Sequence, residues 1–171
     1  MTTSTATKKP ERLATSVDAI KLLTDDHKGV HALFQKYLRL SAADSKTAKK
    51  AKGDEREALA EQNCEMLTIH ATIEAEIFYP AARAAKVDAD LLDEAEVEHA
   101  SCKELITQIR SMNVDDELYD ATVTVLNEYI DHHVKEEQDE IFPKCRKSSI
   151  DLDVIGSELS DRKDALMAAS P

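Results

Sequence analysis

Apolar side chains along this chain recur at three- and four-residue steps, the pattern of helices that each bury one face. The first run carries Ile20, Leu23, His27, Val30, Phe34 and Leu38 and predicts a helix from an N-cap at Ser16 to about Leu40. A second, from Asp54, carries Leu59, Asn63, Leu67, His70, Glu74, Ile77 and Ala81 and should end before Val87. Asp88 caps a third, whose seam is Leu92, Ala95, His99, Cys102, Ile106 and Ile109. The fourth is expected to start at Asp115 or Asp116 and to bury Leu118, Thr122, Leu126, Ile130, His133, Glu137 and Ile141. Leu152, Ile155, Leu159 and Leu166 predict a shorter fifth helix laid against the others.

Between the first two helices, the stretch from Ser41 to Gly53 holds Lys46, Lys49, Lys50 and Lys52 and reads as a solvated linker. Connections among helices two, three and four are short, which favours antiparallel neighbours. The expected fold is therefore all-α, an antiparallel up-down four-helix bundle with an additional short C-terminal helix. Its expected organisation is a disordered tail over residues 1–15, the bundle over 16–147, and a C-terminal amphipathic helix and tail over 148–171.

Composition supports this and narrows the partners. With 3 Gly, 4 Pro and no Trp in 171 residues, tight turns are few and long helices are favoured. Acidic residues outnumber basic ones 34 to 22, and the net charge of −12 repels nucleic acid and anionic membrane surfaces. Cys64, Cys102 and Cys145 are odd in number and far apart, which suits a reducing compartment and leaves no disulfide framework or zinc knuckle. The segment before Ser16 has Lys8, Lys9 and Arg12 but no apolar run of the secretory kind, and no stretch approaches the roughly 20 apolar residues of a membrane span. A soluble, cytoplasmic protein is expected.

The chemistry lies in a repeat. His70-Ala-Thr-Ile-Glu74-Ala-Glu-Ile-Phe-Tyr-Pro80 on the second helix is answered by His133-Val-Lys-Glu-Glu137-Gln-Asp-Glu-Ile-Phe-Pro143 on the fourth, with histidine, glutamate and proline at the same offsets. Residues i and i+4 share a helix face, so each His/Glu pair can reach one point from one side. His27 and His99 lie on the stripes of the first and third helices, and helical phase turns all six toward one axis. Burying two carboxylates unpaired would cost several kcal/mol each, whereas cations between them would satisfy carboxylates and imidazoles together. Imidazole mixed with carboxylate suits iron or manganese better than structural zinc, and six protein ligands over two ions leave a position for dioxygen, peroxide or nitric oxide.

These residues resemble the hemerythrin-like, or HHE cation-binding, domain family in its bacterial single-domain form. The resemblance rests on Asp26-His27, His70-x3-Glu74, His99 and His133-x3-Glu137 with its trailing Ile-Phe-Pro, over roughly Ile20 to Arg146. It implies two non-haem iron ions as cofactor, with Glu74 and Glu137 as bridging carboxylates beside an oxo or hydroxo bridge. By the same resemblance, His27, His70, His99 and His133 are terminal imidazoles. Oxygen-carrying hemerythrins place a His-x3-His pair on the third helix and His-x4-Asp on the fourth; here Ala95 and Lys103 stand where a partner of His99 would be. The implied role is handling of peroxide, nitric oxide or oxygen, or an iron-linked stress response, served by an electron donor that the sequence does not name. Reversible oxygen carriage or oxygen or iron sensing is the second reading.

Other residues near the seam have plainer readings. His31 and His132 are spare imidazoles beside the selected ones. Glu76, Glu96, Glu136 and Glu140 read as a solvated acidic face, with orientation of imidazoles as the alternative. Tyr37, Tyr79 and Tyr129 read as core fillers, with gating of or hydrogen bonding to the open position as the alternative, Cys102 as a small buried hydrophobe, with a redox role as the alternative, and Pro80 and Pro143 as kinks or ends of their helices.

Overall fold

Asp18 opens the first helix, its carboxylate accepting from the Lys21 N–H at 2.9 Å, so α1 runs Ala19–Ser41 rather than starting at Ser16. The computed structural model describes residues 17–42 and 52–170; the expected tail, Ser16, and the linker lysines Lys46, Lys49 and Lys50 lie outside the described residues. Helix α2 is built from Gly53–Ile73, a π-helical turn Glu74–Phe78, and Tyr79–Ala84. After α3 (Ala89–Ser111), α4 repeats that construction as Tyr119–Glu136, a π turn Glu137–Ile141, and Phe142–Arg146, and α5 spans Leu152–Ala169. No strand occurs among the described residues, and none of their helices is long and apolar enough to cross a membrane.

The helices close a ring in which α1 packs on α2 and α4, and α3 on the same two, while α5 lies across α1 and α2. Up-down order is visible in the core. One apolar cluster joins Ala19, Ile20 and Leu23 at the start of α1 to Phe78, Tyr79 and Ala82 late in α2, Leu92 and Ala95 early in α3, and Ile141, Phe142 and Cys145 late in α4. A second joins the other ends, with Phe34, Tyr37, Cys64, Leu67, Ile106, Ile109, Val123 and Leu126. Between them, each helix contributes polar residues.

Two expected phases shift. Asp115 and Asp116 do not cap α4: the Asp116 carboxylate and the Asn113 side chain accept from backbone N–H groups in the turn before it. The helix starts at Tyr119, which with Val123 takes the buried positions expected of Leu118 and Thr122, and Leu118 is exposed. In α2, Phe78 and Ala82 are buried instead of Ile77 and Ala81, because the π turn feeds an extra residue into the helix.

Two backbone features hold the frame. The α2–α3 junction turns on Lys86, at φ 58°, with Lys86 N–H bonded to Arg83 C=O and Val87 N–H to Ala82 C=O, a Schellman cap built on a lysine rather than glycine. Helix α5 is docked by Gly156, where an added Cβ would fall 1.6 Å from the Val17 carbonyl oxygen and 2.7 Å from the Ala19 nitrogen. Lys86→Gly should raise stability by about 1 kcal/mol by removing left-handed strain. Gly156→Val should lower it by roughly 1–3 kcal/mol by forcing α5 off α1. Urea denaturation midpoints followed by circular dichroism check both.

Candidate metal centre

Each glutamate of the repeat stands at the first position of a π turn, and the prolines explain why. Pro80 has no N–H for the Glu76 carbonyl and Pro143 none for that of Asp139, and each ring crowds the carbonyl four residues back. The helix answers by widening: Tyr79 N–H bonds Glu74 C=O, and Phe142 N–H bonds Glu137 C=O, both five residues back. The prolines thus do not end the helices, which continue through one further turn to Ala84 and Arg146.

The structure brings all six selected residues into the layer between the two apolar clusters. His27, His70 and His133 are buried, Glu74 and Glu137 are 0% exposed, and His99 is slightly open. The histidines meet in two pairs, His27 Nε2 at 3.0 Å from His70 Nε2 and His99 Nε2 at 3.0 Å from His133 Nε2. Each carboxylate spans the pairs. Glu74 lies 3.2 Å from His70 Nε2 through Oε1 and 3.4 Å from His99 Nε2 through Oε2. Glu137 Oε2 lies 3.2 Å from His27 Nε2 and 3.7 Å from His133 Nε2.

Such a layer is unbalanced without a cation. Both oxygens of Glu74 and Oε2 of Glu137 have no hydrogen-bond partner, although each is fully buried. Two imidazoles facing Nε2 to Nε2 share at most one proton, so at least one nitrogen of each pair presents a lone pair to the space on which the orphaned oxygens also converge. Two sets of donor atoms could each hold an ion: His27, His70, Glu74 and Glu137, and Glu74, His99 and His133. The residues fit a metal site of mixed imidazole and carboxylate donors.

The outer ring nitrogens are held so that Nε2 points inward. His133 Nδ1–H donates to Glu98 at 2.7 Å, and His70 Nδ1–H lies 3.5 Å from Asp26 Oδ2. The Gln138 amide is 3.3 Å from His27 Nδ1. Tyr79 is no mere filler: its hydroxyl donates to Glu137 Oε1 at 3.0 Å and sits 3.4 Å from His99 Nε2. Burial alone would lower the His70 pKa, but the Glu74 carboxylate beside it, with Asp26, raises it to about 10. Burial likewise opposes the upward shift of His133 that Glu98 and Glu137 bring about. For Glu74, burial pushes the carboxyl up, and the charges of His70 and His99 hold it well below the usual range.

A cavity of about 360 Å³ opens onto the layer between α2 and α3, reaching His27, His70, His99 and His133 past Leu67, Ala71, Cys102, Ile106 and Val134. Burial pushes the Cys102 thiol on its wall up to about 11, and all three cysteines are free and buried.

The spare candidates stay outside. His31 is exposed near Asp131, and His132 is exposed between Glu98 and Glu136. Glu76 and Glu96 pair with Arg162 and Arg83, Glu140 lies near Lys144, Tyr37 donates to Asp120 at the far end, and Tyr129 is exposed. The residue missed was Glu98. Its signal was present: an acid precedes the inward histidine on α1 (Asp26-His27) and on α3 (Glu98-His99), and each acid faces the Nδ1 of the neighbouring helix's histidine.

The sequence profile of the family described as "Hemerythrin HHE cation binding domain" matches residues 18–145. Among solved structures, the chain is similar to a hemerythrin HHE cation-binding domain-containing protein of Mycobacterium kansasii, with 23% identity, a TM-score of 0.71, and coverage of 90% of this chain and 89% of that one. No curated protein matches the sequence.

A pH dependence follows from His70. Its folded pKa, about 10, lies above the ordinary 6.5, so its protonation stabilises the metal-free chain fully below about pH 6.5 and that contribution is lost as pH rises through about 10. The thermal midpoint of metal-free protein should therefore fall between about pH 7 and 10. Metal loading at neutral pH should release on the order of one to two protons per chain, read by an indicator dye in weak buffer.

Proposed function

The chain belongs to the hemerythrin HHE cation-binding family, and from that membership we propose that it is a non-haem di-iron protein that binds oxygen, peroxide or nitric oxide. The observation that carries this reading is the buried layer in which four imidazole Nε2 atoms and two carboxylates, three of whose oxygens lack a hydrogen-bond partner, converge. His27 and His70 would hold one ion, His99 and His133 the other, and Glu74 and Glu137 would span both. Bound iron supplies Lewis acidity and one-electron chemistry toward such ligands.

The chain's own residues set the conditions. Tyr79 keeps Oε1 of Glu137 occupied, which turns Oε2 toward the histidines. The cavity between α2 and α3 is walled mainly by apolar side chains, so it suits a small uncharged molecule and disfavours a hydrated anion. The absence of a second histidine one turn from His99, where Ala95 and Lys103 stand, favours consumption of the ligand over reversible carriage. Three free buried thiols suit a reducing, cytoplasmic setting.

Protein loaded anaerobically with iron(II) should hold two irons per chain by elemental analysis and gain near-ultraviolet absorption on exposure to air that dithionite removes. It should consume peroxide or nitric oxide, and Glu74→Ala should lose at least one iron and most of that consumption. Full iron occupancy with no consumption of either, and a stable oxygenated form that reverses under vacuum, would make it a carrier. Failure to retain iron or manganese would end the metal reading.

A further inference from the structure

The acid–histidine pairs give the centre a near two-fold plan, in which α1 and α2 mirror α3 and α4. Asp26 serves His70 as Glu98 serves His133. Helix α5 breaks it. Lys163 on α5 donates to Oδ1 of Asp26, whose other oxygen faces His70 Nδ1. On the opposite half no lysine among the described residues reaches Glu98; its second oxygen faces the exposed His132 at 3.4 Å.

We propose that α5, through Lys163, is a positioning element of the metal centre that holds the Asp26–His70 pair and thereby sets how firmly one of the two ions is retained. The inference rests on the metal reading above. Asp26 is 9% exposed and His70 5%, so the pair has little water to fall back on. An ammonium on one carboxylate oxygen fixes the rotamer of Asp26 and draws its charge outward, and the other oxygen then restrains the imidazole. Because His70 Nδ1–H stands 3.5 Å from Asp26, a long contact, a small rotation of Asp26 changes it from weak to absent.

The lysine is presented accurately. Gly156 seats α5 against the start of α1, and Leu159 is fully buried in the core cluster with Ala19, Leu23 and Ile73. Arg162 grips Glu76 with two bonds of 2.6 and 3.0 Å. Lys163 follows directly, on a helix that Gly156 and Leu159 already seat, so its aim at Asp26 on α1 does not depend on the Arg162 pair. This separates two roles that can be tested apart, since Arg162 docks the helix without touching Asp26 and Lys163 touches Asp26.

The experiment uses the full chain loaded with two metal ions and challenged with excess chromogenic chelator, following release by absorbance and residual metal by elemental analysis. Lys163→Met should speed release of one ion by about tenfold and leave the other within about twofold. Lys163→Arg should restore the slow phase, and Glu98→Gln should speed the opposite ion. Arg162→Met should lower the thermal midpoint without the release phenotype. Unchanged release in Lys163→Met, equal acceleration in Arg162→Met, or simultaneous loss of both ions in Lys163→Met each overturns the proposal while leaving the metal reading standing. A wild-type chain that holds no transition metal overturns both.

Discussion

Two carboxylates sit at the centre of this bundle with three oxygens that no protein group satisfies. Left alone, buried carboxylates would cost several kcal/mol each, and they tolerate their surroundings only if positive charge is brought to them. The rest of the structure follows from that demand. The core is divided, with one apolar cluster on each side of the polar layer, so each helix must change from apolar to polar and back along a single face. Because each of the four bundle helices α1 to α4 passes through the layer, a slip of one turn in any of them would withdraw its donor from the site.

Most of the fold was legible for this reason. A stripe that yields its inward positions to His27, His70, His99 and His133 in four successive helices is a pattern that packing alone does not produce, and the seam of α3 lies as its periodicity predicts. The six residues chosen by phase and repeat do share one layer. Where the reading slipped, local chemistry outweighed periodicity. Asp115 and Asp116 look like helix caps, but the Asx-type bonds of Asn113 and Asp116 use them in a turn, which moves the buried face to Tyr119 and Val123.

The π turns were hidden for a different reason. A fixed angle of 100° per residue cannot express a turn that takes one residue more, and only the recurrence of proline six residues after each glutamate hinted at it. Tyr79 was misjudged with it: extending an α-helical phase past Glu74 points Ile77 inward, whereas the widened turn brings Phe78 and Tyr79 in, and with Tyr79 the hydroxyl that binds Glu137. Glu98 escaped notice because it stands off the apolar stripe, beside a histidine rather than in phase with it. Partners that orient a ligand across a helix interface follow no periodicity on their own helix.

The gap between α2 and α3 is framed in part by methyl-sized side chains, Ala71, Ala75 and Ala100, which offer no donor atom. On the proposed reading it would act as a sieve whose mesh is set by residues with no chemistry of their own. Growth of any one of them to valine or leucine would narrow the aperture without removing a donor side chain. Reactivity and admission are thus written in separate parts of the chain, and what the centre meets can drift in evolution without any change in what it is able to do.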